Sequence, residues 1–156
     1  MLGKAGYRSG RRPSVKLQSV LAAKGPQVFT TGPDTPIADA ISVLARNNIG
    51  ALVVVEASGV PCGILSERDI IRHIAADADP AEAAVGDWMT SPVTVAAPSD
   101  DLEAVLHTMT SRRFRHIPVV ESGGLVGMLT IGDMVKAQLN EYRGAVETLE
   151  TQLMDA

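Results

Sequence analysis

The chain states one pattern twice. The stretch from Thr35-Pro36-Ile37-Ala38-Asp39-Ala40-Ile41 to Ile64-Leu65-Ser66-Glu67-Arg68-Asp69-Ile70 recurs as Asp100-Asp101-Leu102-Glu103-Ala104-Val105-Leu106 to Met128-Leu129-Thr130-Ile131-Gly132-Asp133-Met134. The copies stand 65 residues apart at the start (Ile37 to Leu102) and 64 apart at the end (Asp69 to Asp133), so the second copy lacks one loop residue. Two copies are too few for a solenoid, which needs three or more stacked units. A pseudo-symmetric pair instead buries a shared face and leaves two related clefts. That arrangement suits binding better than a single asymmetric reaction centre.

Each copy reads β-α-β-β-α, an α/β (α+β) class of fold. In the first, Val28-Phe29-Thr30 is a short strand, and Asp34 or Thr35 caps a helix with Pro36 in its first turn. The apolar face of that helix is Ile37, Ala40, Ile41, Leu44 and Ala45, at helical spacing. Ala51 to Val55 is a buried strand, Glu56 to Gly59 a hairpin turn, Val60 to Leu65 the return strand, and Ser66 opens a helix to about Ala76. The second copy repeats the order. Val93-Thr94-Val95 is its strand, and Ser99 or Asp100 caps a helix through Leu102, Val105, Leu106 and Met109. Ile117 to Val120 and Leu125 to Leu129 form the hairpin, and Thr130 opens the last helix.

The expected divisions are a disordered basic tail (1–13), a first unit (14–77), a second unit (78–136) and a C-terminal helical extension (137–156). The first unit begins with a short amphipathic helix from Ser14 to Leu21. In the link between units, Val85, Trp88 and Met89 form an apolar patch expected to pack between them. In the last helix, Val135, Leu139, Tyr142, Val146, Leu149 and Leu153 follow the 4-3-4-3-4 spacing of an a/d seam. The seam runs under three heptads, and two covers fit it equally: its own domain or a second copy of the chain.

A net charge of -4 argues against a nucleic-acid protein. The charge is uneven, since no Asp or Glu precedes Asp34 while Lys4, Arg8, Arg11, Arg12, Lys16 and Lys24 do. A solvated tail accounts for this; a transit peptide and a nucleic-acid or membrane contact are the alternatives. No apolar run approaches the ~20 residues of a membrane span. The single cysteine, Cys62, has no internal partner, which fits a reducing, cytoplasmic compartment and a small buried hydrophobe.

The sharpest local signal is Gly63-Ile64-Leu65-Ser66-Glu67-Arg68-Asp69, matched by Gly127-Met128-Leu129-Thr130-Ile131-Gly132-Asp133. A hydroxyl residue followed three positions later by an acid is close to a capping box, which needs no ligand. The same geometry suits a nucleotide. A helix N-terminus offers free N–H groups and partial positive charge to phosphate, and the aspartate can accept two hydrogen bonds from a ribose. His73 and His107 lack partners at metal-ligand spacing, and no P-loop or dinucleotide fingerprint occurs. No nucleophile, base and orienter set is supported by spacing, so a non-enzymatic role is expected.

The two units resemble a tandem pair of cystathionine-β-synthase (CBS) domains over about residues 15 to 140. The resemblance rests on Ile49 to Val55, Gly63 to Ile70, Phe114-Arg115-His116-Ile117-Pro118-Val119-Val120, and Gly127 to Val135. The second copy fits the family pattern closely; the first departs from it, with Ala51 for His116 and Val53 for Pro118. The resemblance implies a disc-like module, often dimeric, with clefts for adenosine-containing ligands such as AMP, ATP or NAD/NADH. It places the ribose-binding acid at Asp69 and Asp133, with Ser66 and Thr130 beside them. It places Thr30, Thr94, Gly50, Ala51, Arg115, His116 and Ile117 near the adenine edge.

Gly50 also has its own warrant, since a glycine lets a ligand approach the backbone. Pro118 removes a ladder donor, which suits an edge or a cleft wall. Arg112, Arg113 and Arg115 make either a solvated turn or a phosphate contact, and Arg68 stands where the second copy has Gly132, so the clefts should differ. The expected function is a stand-alone sensor that binds an adenine nucleotide, pairs as a homodimer and signals to a downstream protein partner. The competitors are an interaction protein with vestigial clefts working through its C-terminal helix, a nucleotide enzyme, and a nucleic-acid binder using the basic tail.

Overall fold

The computed structural model describes residues 14–156, so the basic stretch 1–13, expected as a disordered tail, lies outside the described residues. The first repeat folds around a three-stranded sheet in the order β1 (Thr30–Thr31), β2 (Ala51–Val55), β3 (Pro61–Ser66). The first two strands are parallel, and β2 and β3 form the antiparallel hairpin. Two helices frame the sheet. In α2 (Ile37–Asn47), Ile37, Ala40 and Leu44 recur at helical spacing and are buried, whereas Ala45, expected on the same face, is exposed. Helix α3 (Glu67–Ala75) follows β3 directly and is capped by Ser66.

The second repeat has a matching hairpin, β4 (His116–Glu121) with β5 (Gly124–Thr130), and helices α5 (Leu102–Arg112) and α6 (Ile131–Met154). Both hairpins break register at the same place, between Val54 and Val55 and between Val119 and Val120. The missing residue lies in the turn: Val55 pairs with Pro61, whereas Val120 pairs with Leu125.

The expected strand Val93 to Val95 is reduced to one parallel bridge, Ala96 with Val119. Pro118 supplies the reason. In the first repeat the Val53 N–H donates to the Phe29 carbonyl and starts the ladder. Pro118, at the position of Val53, has no N–H to give. Pairing therefore starts one step later, where Ala96 donates to the Pro118 carbonyl and accepts from the Val120 N–H.

The units are more entwined than the chain order suggests. Helix α1 (Leu17–Lys24), grouped by sequence with the first unit, buries Leu17 and Val20 in the second core with Val105, Met109, Ile117 and Leu129. Leu17 N–H donates to the Asp100 carbonyl, and Leu102 N–H to the Val15 carbonyl. Conversely, the short helix α4 (Val85–Trp88) buries Val85 and Trp88 in the first core with Ile37, Leu52, Leu65 and Ile70. Ile37 N–H donates to the Ala83 carbonyl in the same way. The expectation that Val85 and Trp88 pack between units is thus corrected: they close the first core. Each core is completed by the segment that precedes the other repeat, because each hairpin offers an apolar face that its own helices do not cover.

Two repeat glycines mark where this exchange is tightest. A Cβ at Gly63 would sit 2.6 Å from Met89 Sδ and 3.0 Å from the Thr90 carbonyl oxygen, and one at Gly127 would sit 2.6 Å from Leu21 Cδ2. Real atoms do not approach so closely, so a side chain at Gly63 would press on the Thr90 backbone as well as Met89, and one at Gly127 would require the end of Leu21 to shift.

Candidate functional site

Two clefts lie where the repeats meet. The first, of about 450 Å³, has on one side the end of β3 and the first turn of α3, with Ser66, Arg68, Asp69 and Arg72. Facing them are Thr90, Val93 and Thr94 and the turn from Arg112 to His116. The second, of about 630 Å³, mirrors this arrangement. Thr130, Met128 and Lys24 stand on one side, with Val28, Phe29 and the turn from Asn47 to Ala51 opposite. Both volumes fall in the range of small-molecule sites, ~300–1,000 Å³.

The hydroxyl–acid pairs are true capping boxes. Ser66 Oγ accepts from the Asp69 N–H at 3.3 Å, while the Ser66 N–H and O–H both donate to Asp69 Oδ2 at 2.9 Å. Thr90 Oγ1 donates to Asp69 Oδ1 at 2.9 Å. Asp69 is the one buried charged residue among those described, 7% exposed. A carboxylate offers about four acceptor positions, so these three bonds leave Asp69 one. A vicinal diol there must displace the Thr90 hydroxyl.

Asp133 is built differently. Its Oδ2 accepts from the Thr130 N–H at 2.9 Å and from Lys24 Nζ at 2.7 Å, which leaves Oδ1 open for two donors. Lys24 also donates to the Met128 carbonyl at 2.7 Å. Partial burial pushes the Asp133 carboxyl up, but the Lys24 ammonium and the Thr130 donors outweigh it and hold it below the ordinary 3.8. Lys24 thus holds Asp133 through the capping oxygen Oδ2, whereas Thr90 occupies the other oxygen, Oδ1, of Asp69.

Gly50 and His116 line both clefts. A Cβ on Gly50 would stand 3.5 Å from His116 Nε2, so the two form one shared partition. Burial depresses the His116 imidazole below its ordinary 6.5, as do Lys24 and Arg115, against the opposing pull of Glu67 and Asp133. At neutral pH it is an uncharged donor and acceptor.

The turns that face each aspartate both end a helix in the left-handed conformation. Asn48 caps α2 with φ 51° and ψ 48°, and Arg113 caps α5 with φ 59° and ψ 42°. Asparagine tolerates that region; arginine is uncommon there. Around the first cleft stand Arg68, Arg72, Arg112, Arg113 and Arg115, against the acids Glu67 and Asp69. Among the described residues the second has Lys24 and Arg46. The first cleft is the anion-attracting one.

Of the residues expected from the sequence, Ser66, Arg68, Asp69, Thr94, Arg113 and Arg115 line the first cleft, Ala51 and Thr130 the second, and Gly50 and His116 both. Asp133 reaches the second through its bond to Lys24. Three expected positions are not brought there. Ile117 is 2% exposed in the second core, Pro118 pairs with Met128 inside the hairpin, and Thr30 pairs with Val53 in β1. The structural partner of Thr94 is Phe29, 65 residues back, not Thr30. Sequence reasoning missed Phe29, Lys24, Thr90 and Arg72. Only Arg72 carried a signal, since it stands one helical turn beyond Arg68. Among the described residues no group of acids, histidines and cysteine could hold a metal ion.

Comparison with known proteins agrees with the geometry. The CBS-domain pattern matches twice, at residues 24–76 and 85–140. A mitochondrial CBS domain-containing protein of Arabidopsis thaliana, CBSX3, is 32% identical over 96% of this chain and 74% of its own length. The crystal structure of the CBS-domain protein ATU1752 of Agrobacterium tumefaciens is 38% identical, with a TM-score of 0.75 over 80% of this chain and 99% of that one. The CBS pair of MJ0100, solved with 5'-methylthioadenosine and S-adenosyl-L-methionine, shares the fold at a TM-score of 0.73 but only 22% identity, covering 83% of this chain and 99% of that one.

Proposed function

The chain belongs to the CBS-domain family, with two copies in tandem, and we propose that it is a non-catalytic regulatory module binding an adenosine-containing ligand in the clefts between them. The observation that carries this reading is the pair of helix N-termini, each with an aspartate held by its capping box, Asp69 lining the first cleft and Asp133 bonded to Lys24, which lines the second. Ribose hydroxyls are donors that match carboxylate acceptors, and free N–H groups of a first helical turn match phosphate. A structural neighbour was solved with two adenosine compounds, which accords with the ligand class.

The ligand is AMP, ATP or an NAD-type dinucleotide, with its phosphates toward the arginines of the first cleft. Charge-assisted hydrogen bonds contribute about 1.5–3 kcal/mol each, enough to rank ligands by phosphate number. The module acts as a homodimer, passes ligand level to a downstream protein partner and works in the cytoplasm. It signals only if the ligand prefers one arrangement of the units, because equal binding shifts nothing.

The test is thermal unfolding with AMP, ADP, ATP, NAD, NADH and S-adenosylmethionine. A ligand at 100 times its Kd stabilises by about 2.7 kcal/mol. A rise that disappears in Asp69→Asn or Asp133→Asn supports the reading; no rise with any ligand overturns it. The second reading, an interaction protein, is favoured by one observation: the exposed apolar seam of α6. It predicts no rise with any nucleotide and unchanged partner binding in both aspartate variants.

A further inference from the structure

Asp69 and Asp133 hold equivalent places but are not equally free to grip a sugar. At Asp69 the Ser66 N–H and O–H fill Oδ2, and the Thr90 hydroxyl takes one of the two positions on Oδ1. One acceptor position is left. At Asp133 all of Oδ1 is open, because Thr130 and Lys24 both bond Oδ2. An unsubstituted ribose offers two vicinal hydroxyl donors, and Asp133 accommodates both without rearrangement. Asp69 accommodates a ribose with a single free hydroxyl.

The neighbours of Asp69 indicate what stands in place of the other hydroxyl. Arg68 and Arg72 are four residues apart on α3 and share one face. They lie roughly 100° and 60° around the helix from Asp69, on the same side, and both line the cleft. The second repeat has Gly132 and Lys136 in these places, and neither lines its cleft. Planar guanidinium forks fit phosphate. Two of them beside an aspartate with one acceptor left match a ribose whose second hydroxyl is phosphorylated. Arg112, Arg113 and Arg115 stand on the facing wall, where they meet the phosphates of the 5' chain. Among the described residues none of these five arginines is ion-paired, the one ion pair there being Lys24 with Asp133. Glu67, the other acid of the cleft, faces the partition: a Cβ on Gly50 would stand 3.6 Å from its Oε2. Positive charge on both walls is thus left for the ligand to neutralise, and a nucleotide phosphorylated at both ends of its ribose does so.

We propose that the first cleft selects an adenine nucleotide with a phosphate on its ribose, at the 2' or 3' oxygen. Asp69 takes the remaining hydroxyl, and Arg68 and Arg72 take the phosphate. The proposal deepens the adenosine-ligand reading above and rests on it. It is tested by titration calorimetry of the full chain, with Asp133→Asn to take away the ribose acceptor of the second cleft. The ligands are ADP, adenosine 2',5'-bisphosphate and adenosine 3',5'-bisphosphate, which carry equal numbers of phosphates differently placed. One bisphosphate should bind about tenfold tighter than ADP or better, as one charge-assisted contact implies. Arg68→Gln with Arg72→Gln changes two exposed positions to another good helix former, so the fold should stand and the advantage should vanish. Arg68→Gln alone should narrow it. Equal affinity for all three ligands, or binding lost with Asp133→Asn, overturns the proposal and leaves the adenosine reading standing. An advantage that survives the double variant overturns the assignment to Arg68 and Arg72. No binding of any of the three, in the parent as well, overturns the adenosine reading itself.

Discussion

Arg113 occupies a backbone position that its side chain does not favour, and replacing it should separate stability from binding. In the first repeat the equivalent helix cap is Asn48, with nearly the same left-handed angles. A non-glycine residue in this region loses about 1–2 kcal/mol, and asparagine recovers part of that through local hydrogen bonding. Arg113 is exposed, so its removal leaves no cavity. Arg113→Asn should therefore stabilise the fold by about 0.5–1 kcal/mol, read as a shift of the urea midpoint at unchanged slope. The same change removes one of five arginines at the first cleft. If its guanidinium meets phosphate, one charge-assisted contact of about 1.5–3 kcal/mol goes with it, a loss of roughly ten- to a hundredfold in nucleotide affinity by titration calorimetry. Adenosine, which carries no phosphate, should bind the variant as it binds the parent. The reasoning is refuted if Arg113→Asn destabilises the protein, or if it weakens adenosine and ATP equally.

Three further outcomes follow from the geometry. Gly63→Ala should cost about 2–3 kcal/mol in urea unfolding, because its methyl meets the Thr90 backbone as well as Met89; Gly127→Ala, which meets only the end of Leu21, should cost visibly less. Thr90→Val removes the hydroxyl on Asp69 Oδ1; it should destabilise the apo protein by about 1 kcal/mol and open the carboxylate to a diol, so adenosine affinity at the first cleft should not fall. The Asp133 carboxyl is held below its ordinary 3.8. Its contribution is present above that value and lost as pH falls through the lowered native value. The stability gap between parent and Asp133→Asn should therefore be constant from pH 5 to 7 and close toward pH 2 in acid titrations of unfolding.

Much of this was legible because each repeat checked the other. The hairpins and the capping boxes at Ser66 and Thr130 follow from local spacing, whereas the placement of Arg115 and His116 near a ligand came from the family resemblance. What the sequence hid was long-range. No periodicity tells that Leu17 and Val20 complete the core of the other repeat, or that Lys24 closes onto Asp133 more than a hundred residues away. The register of the first strands was legible and misread: Thr30 and Thr94 look alike, but the 65-residue offset of the repeat matches Thr94 to Phe29, as the ladders do. The Ile117 side chain takes the core face because alternate strand residues face opposite sides.

The central claim is that the clefts, not the C-terminal helix, carry ligand recognition, and amide chemical-shift mapping with ATP tests it most directly. The account predicts saturable shifts concentrated at Ser66 to Asp69, Thr94, and Arg113 to His116, with those of Leu139 to Leu153 unmoved. Shifts confined to the C-terminal helix, or none at millimolar ATP and AMP, would contradict it.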